Sequence, residues 1–70
     1  MKSKLLENGF KPNIHGDAFD KGVHRVYFSD GSVYVVEFDN PKTQVVNWKC
    51  GLSKSMGDEK IMSVINAMIS

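Results

Sequence analysis

Seventy residues, 41% of them hydrophobic, are enough for one packed domain and no more. A chain of this size buries only about 60% of its unfolded surface, which leaves little room for a deep enclosed pocket and disfavours elaborate catalysis. Nine Lys and Arg against eight Asp and Glu give a net charge of +1, with the basic residues scattered along the chain; this weakens the case for a nucleic acid held through its phosphates without removing it.

Cys50 is the only cysteine, so the domain must stand on packing without an internal disulfide. The opening residues Met1, Lys2, Ser3, Lys4, Leu5 and Leu6 hold no apolar run of signal-peptide length, and no later stretch approaches a membrane span. A soluble, cytoplasmic protein with no membrane contact is expected.

In chain order, residues 3–8 read as a short helix with Leu5 and Leu6 as its apolar contribution. Asn8-Gly9 stops it, because glycine tolerates the left-handed conformation that ends helices. Phe10 should pack back on Leu5 or Leu6. Residues 11–22 read as a loop with room for a short edge strand around 10–14. Pro12, Asn13, Gly16, Asp17, Asp20 and Gly22 are turn formers there, and only Ile14, Ala18 and Phe19 are apolar. A long unstructured stretch in a small domain is often functional.

Residues 23–28 and 32–38 are rich in β-branched and aromatic side chains and read as strands joined by a hairpin at Ser29-Asp30-Gly31. The turn decides which residues share a face. A two-residue loop groups His24, Val26, Phe28, Val33, Val35 and Glu37. A three-residue loop, with Gly31 left-handed, groups His24, Val26, Phe28, Tyr34, Val36 and Phe38. The second set is the cleaner apolar face and leaves Arg25 and Glu37 together on the other side, so it is the expected register. A second turn at residues 39–43 leads to a third strand, 44–50, with Val46, Trp48 and Cys50 toward the core. Residues 51–57 read as a linker.

Residues 58–69 form the strongest helix: Ile61, Val64, Ile65 and Met68 recur at helical spacing, flanked by Met62 and Ile69. Ser55 and Asp58 approximate a capping box. The expected fold is α+β, with a short N-terminal helix, an antiparallel β-meander of three strands (four if 10–14 pairs) and a C-terminal amphipathic helix. Both helices pack on one sheet face, and burying six apolar side chains of the last helix contributes roughly 1.5–3 kcal/mol each before entropy. The opposite face would then present Val23, Arg25, Tyr27, Val33, Val35, Glu37, Val45, Asn47 and Lys49, unusually apolar for a solvent surface.

Candidate chemistry is sparse. His24 and His15 are candidate general bases, although an edge or surface histidine is the stronger reading of each. His15, Asp17 and Asp20 offer oxygen and nitrogen donors from one loop but lack the calcium-loop glycine and terminal Glu, and no pair has zinc spacing. No metal or other cofactor is implied. Cys50 reads as core packing, the methionines as core filler, and the glycines form no phosphate-binding loop. Tyr27 with Arg25 and Lys49 is the one aromatic–cation group.

Leu5-Leu6-Glu7-Asn8-Gly9-Phe10-Lys11 resembles the opening of HicA-type toxins, small RNA-cleaving proteins with a double-stranded-RNA-binding-like helix–strands–helix fold. Asp30-Gly31 before an alternating strand and a closing amphipathic helix are also similar, so that the layout is shared over about two-thirds of the chain. That family's Gly-Ser-His-His motif is absent, since Gly16-Asp17-Ala18-Phe19 stands nearest, and no catalytic residue carries over.

The leading expectation is a non-enzymatic protein-binding module, an inhibitor or adaptor that masks a partner's surface as many phage- and mobile-element-encoded proteins do. Its binding residues would be Arg25, Tyr27, Val33, Val35, Glu37, Asn47 and Lys49. Homodimerisation through that face or through an edge strand is a simple variant. The alternative is an RNA-binding or RNA-cleaving protein of the toxin type, with RNA as its partner.

Overall fold

In the computed structural model, which describes residues 1–14 and 16–69, helix α1 spans Lys2–Glu7. It stops where Gly9 adopts φ +89°, a conformation that costs glycine little. The Phe10 N–H then donates to the Leu5 carbonyl, and both side chains enter the core.

Residues 11–22 hold two strands where the composition suggested a loop. β1 (Lys11–Pro12) lies antiparallel to β2 (Ala18–Lys21), with Pro12 opposite Phe19. Phe19 is buried and anchors β2, while Asp20 projects to the other side. β3 (His24–Ser29), β4 (Ser32–Phe38) and β5 (Val46–Ser53) complete an antiparallel sheet in the order β1-β2-β3-β4-β5. The α+β class holds, and the sheet has five strands instead of three or four.

The β3–β4 turn has two residues. Asp30 at φ +48° and Gly31 at φ +78° form the type I′ geometry whose twist matches that of the flanking strands. Ser29 faces Ser32, Tyr27 faces Tyr34, and Val26 faces Val35. The three-residue register is therefore corrected, and with it every face on β4. Val33 and Val35 turn toward the helices and are buried, whereas Tyr34, Val36 and Phe38 turn away. The apolar pattern misled because β4 is apolar on both sides; the preference of Asp-Gly for a two-residue turn decides the register.

β5 runs through Gly51, Leu52 and Ser53, into the stretch read as a linker. Glu37 faces Trp48 but Phe38 faces Val46, so Asn47 is an extra residue in a β-bulge. The bulge takes Val46 off the core face, where Trp48 and Cys50 remain. A 3-10 turn, Lys54–Met56, follows, and the Ser53 hydroxyl accepts from the Ser55 N–H in place of the anticipated Ser55–Asp58 box. Helix α2 is Asp58–Ile69, with the boundaries its periodicity indicates.

Leu5 of α1 and Ile61, Met62 and Ile65 of α2 close over Phe10, Phe19, Val26, Val33 and Val35 in a single cluster. Both helices thus cover the same face of the sheet, and the other face stays open. Among the described residues no helix is long and apolar enough to cross a membrane.

Candidate functional site

The open face is built by alternation. Besides Ser29 and Ser32 at the turn, the residues that do not face the helices are Arg25 and Tyr27 on β3 and Tyr34, Val36 and Phe38 on β4. From β5, Lys49 stands opposite Val36, Gly51 opposite Tyr34 and Val46 opposite Phe38. β2 adds Ala18 and Asp20.

Two tyrosines form its centre. Tyr27 and Tyr34 are directly opposed across β3 and β4, with ring centroids 5.2 Å apart and planes 21° from parallel. Gly51 makes room for them: a Cβ there would lie 3.0 Å from Tyr34 Cε1, so the ring covers bare backbone. Lys49 Nζ sits 4.8 Å from the Tyr34 ring centre and 5.5 Å from that of Tyr27, within cation–π range. The Tyr27 phenol oxygen is the main cause of a Lys49 pKa raised above the usual lysine value, reinforced by its charge when ionised.

A second group flanks the first. Arg25 Nε donates to Asp20 Oδ1 at 2.8 Å and Nη2 to Oδ2 at 3.3 Å, a two-pronged pair, while the guanidinium lies 5.1 Å from the Phe38 ring centre. The hydrogen bond to Asp20 holds the Arg25 pKa above its normal value, against a smaller opposing effect of burial. Asp17, fixed by the Asn13 amide at 3.0 Å, adds a further negative charge. Asn13, Asp17, Arg25, Tyr27, Phe38 and Lys49 surround a shallow concavity of about 520 Å³ above Ala18, Val36 and Val46. Val36 is only 5% exposed although no helix covers it, which shows how closely the rings and cation stems pack.

Of the residues expected on this face, Arg25, Tyr27 and Lys49 are there and are brought together. Val33 and Val35 are not; they are core residues at 1% and 0% exposure. Glu37 is also on the helix side, where its carboxylate accepts from His24 Nε2 at 3.1 Å and from the Asn47 amide at 3.3 Å. Asn47 therefore belongs to the bulge beside Glu37 and not to the tyrosine cluster. Tyr34, Val36 and Phe38 were missed, and the Asp30-Gly31 dipeptide was the signal that would have found them.

The other candidates are dispersed. His24 is engaged with Glu37 and lies 6.0 Å from Trp48, with Asn66 and Ile69 of α2 lining the same recess. His15 lies outside the described residues. Asp17 and Asp20 face Asn13 and Arg25, and no group of metal-binding side chains occurs among the described residues. Cys50 is half-buried opposite Val35.

The arrangement offers aromatic surface, a neutralised Arg–Asp pair and a lysine with no carboxylate partner among the described residues. It suits contact with another molecule better than bond-making chemistry. No family model, curated protein or solved structure matches the chain.

Proposed function

We propose that this protein is a non-enzymatic docking module that covers a protein partner's surface with its open sheet face, acting as an inhibitor or adaptor. The observation that carries this reading is the Tyr27–Tyr34 stack, with Phe38 and Val36 beside it and charged groups of both signs around it. Stacked tyrosines and a preorganised arginine are the residue types that dominate the energetics of protein interfaces. The matching partner surface presents an apolar or aromatic anchor for the concavity and a carboxylate for Lys49.

The same rings would serve to stack the bases of a single-stranded RNA, but the electrostatics favour a protein. Arg25 is engaged by Asp20, and Asp17 adds negative charge nearby, so the groove lacks the continuous basic track that follows a phosphate backbone.

Photo-crosslinking in the native host tests the reading. A benzoylphenylalanine placed at Phe38 should capture one defined polypeptide, and the same label at Lys60, on exposed α2 surface, should not. Tyr27→Ala combined with Tyr34→Ala should abolish the product while leaving the far-ultraviolet circular dichroism unchanged. Capture of RNA in place of a polypeptide would establish the toxin-type alternative, and equal labelling from both sites would end the docking proposal.

A further inference from the structure

The two edges of the sheet are built differently. β1 is two residues long and ends in Pro12, which has no N–H to offer a neighbouring strand. β5 is eight residues long, contains no proline and pairs on one side only. A long uncovered edge is a template for another strand unless it is protected.

Three backbone bonds fix which groups of β5 point outward. The Phe38 N–H donates to Val23 O at 2.8 Å, Asp39 N–H to Val45 O at 2.8 Å, and Lys54 N–H to Gly31 O at 3.1 Å. Bonding alternates along an antiparallel strand, so Tyr34, Val36 and Phe38 bond toward β3, and Val33 and Val35 toward β5. Leu52 and Cys50 stand opposite Val33 and Val35 and use their main-chain groups there. The N–H and C=O groups of Lys49 and Gly51 consequently point away from the sheet, with only a 4.0 Å contact from Cys50 Sγ on the Gly51 oxygen, whereas the Ser53 C=O is taken up by the first turn of the 3-10 helix.

We propose that this edge joins two copies of the chain, β5 to β5 and antiparallel, with Cys50 on the two-fold axis. Lys49 of each copy then exchanges both main-chain hydrogen bonds with Gly51 of the other. The register follows from charge and overlap. Placing Lys49 on the axis sets two ammonium groups side by side. Placing Gly51 on the axis shortens the overlap and sets Trp48 against Lys54 of the 3-10 turn. With Cys50 on the axis the two strands overlap from Asn47 to Ser53 with the bulge at the end of the ladder, Lys49 meets a glycine, and Trp48 meets Leu52 on the helix side. The edge is thus self-complementary in donors and acceptors and in apolar surface, with the one charge of the strand set against a glycine, which singles out a second copy over an unrelated strand.

The two-fold axis of such a pair stands perpendicular to the sheet. A ten-stranded sheet results, with all helices on one side and both open faces on the other. The Tyr27–Tyr34–Lys49 clusters of the two copies would flank the axis and form one continuous surface. The pairing itself does not depend on what that surface binds.

Sedimentation equilibrium of the full chain should give twice its 7.8 kDa. Lys49→Pro removes an outward N–H that no strand within the chain uses, so it should halve the mass while keeping a cooperative unfolding transition. An independent measurement covers the case in which that variant fails to fold. Diamide treatment of the wild type should give a covalent dimer through Cys50: the two thiols lose two protons and two electrons, the S–S bond forms, and diamide is reduced to its hydrazine. Cys50→Ser should remain a dimer by mass without the covalent link. A wild-type chain that stays at single mass into the millimolar range, a folded Lys49→Pro that still dimerises, or a wild-type dimer that diamide fails to link would each overturn the proposal.

Discussion

Val35→Ala tests the face assignment on which the docking surface depends. Val35 is fully buried, between Val26 on β3 and Cys50 on β5, in the cluster that includes Ile61 and Ile65. The substitution removes two carbon atoms, worth about 1.6 kcal/mol by transfer alone. The void adds to this, because neighbours held by two helices and a sheet relax only in part, and the expected total is about 2–3 kcal/mol. A domain of 70 residues has about 3.5–10 kcal/mol in all, so the loss is a large share of its stability. It corresponds to a fall in Tm of about 8–20 °C. Urea titration followed by the fluorescence of Trp48, the only tryptophan, reads the change at one fixed protein concentration, with the m-value unaltered. Were Val35 on the solvent side, as the three-residue turn would place it, truncation would cost no more than about 0.5 kcal/mol. A measured loss below about 1 kcal/mol would refute the two-residue register and the composition of the open face with it.

Three further outcomes follow from the same geometry. Gly51→Val places a Cβ 3.0 Å from Tyr34 Cε1, so the ring must give way by at least a few tenths of an ångström and its stack on Tyr27 is disturbed; the near-ultraviolet tyrosine dichroism should change, with up to about 0.5–1.5 kcal/mol of stability lost. Gly31→Val forces a β-branched residue to φ +78° and should cost about 1–2 kcal/mol or more in the same urea titration. Tyr27→Phe removes the phenol oxygen that raises the Lys49 pKa, so the midpoint of the Lys49 Cε resonance in an NMR titration should move down toward the ordinary lysine value. Because that pKa is raised on folding, its contribution is complete below the unfolded value near 10.5 and is lost as pH climbs through the folded one; wild type should therefore lose its small advantage over Tyr27→Phe only in that alkaline window.

Much of the fold was legible because its signals were local. Ile61, Val64, Ile65 and Met68 set the bounds of α2 by spacing alone, and Gly9 and the Asp30-Gly31 pair marked their turns. β2 escaped because it is short and half charged; only its pairing with β1 and β3 makes a strand of it. The bulge at Asn47 escaped because two residues facing one is a property of the ladder and not of either strand. The open face was legible at Arg25 and Tyr27 on β3 and at Lys49 on β5, where alternation with core-facing residues fixes the side, but beyond Trp48 the bulge brings Val46 onto it in place of Asn47. On β4, where Val33, Tyr34, Val35 and Val36 follow one another, hydrophobicity carries no information about direction.

Each strand of this sheet pairs with its neighbour in sequence, so the meander is able to assemble hairpin by hairpin as it leaves the ribosome. Its inner surface has no such local remedy. Val26, Val33 and Val35 are sheltered by side chains some thirty residues further on in α2. Until Ile61 and Ile65 emerge, a nascent chain displays a greasy, half-finished sheet, and a pause in translation before that point would expose it to chaperones and to its own copies.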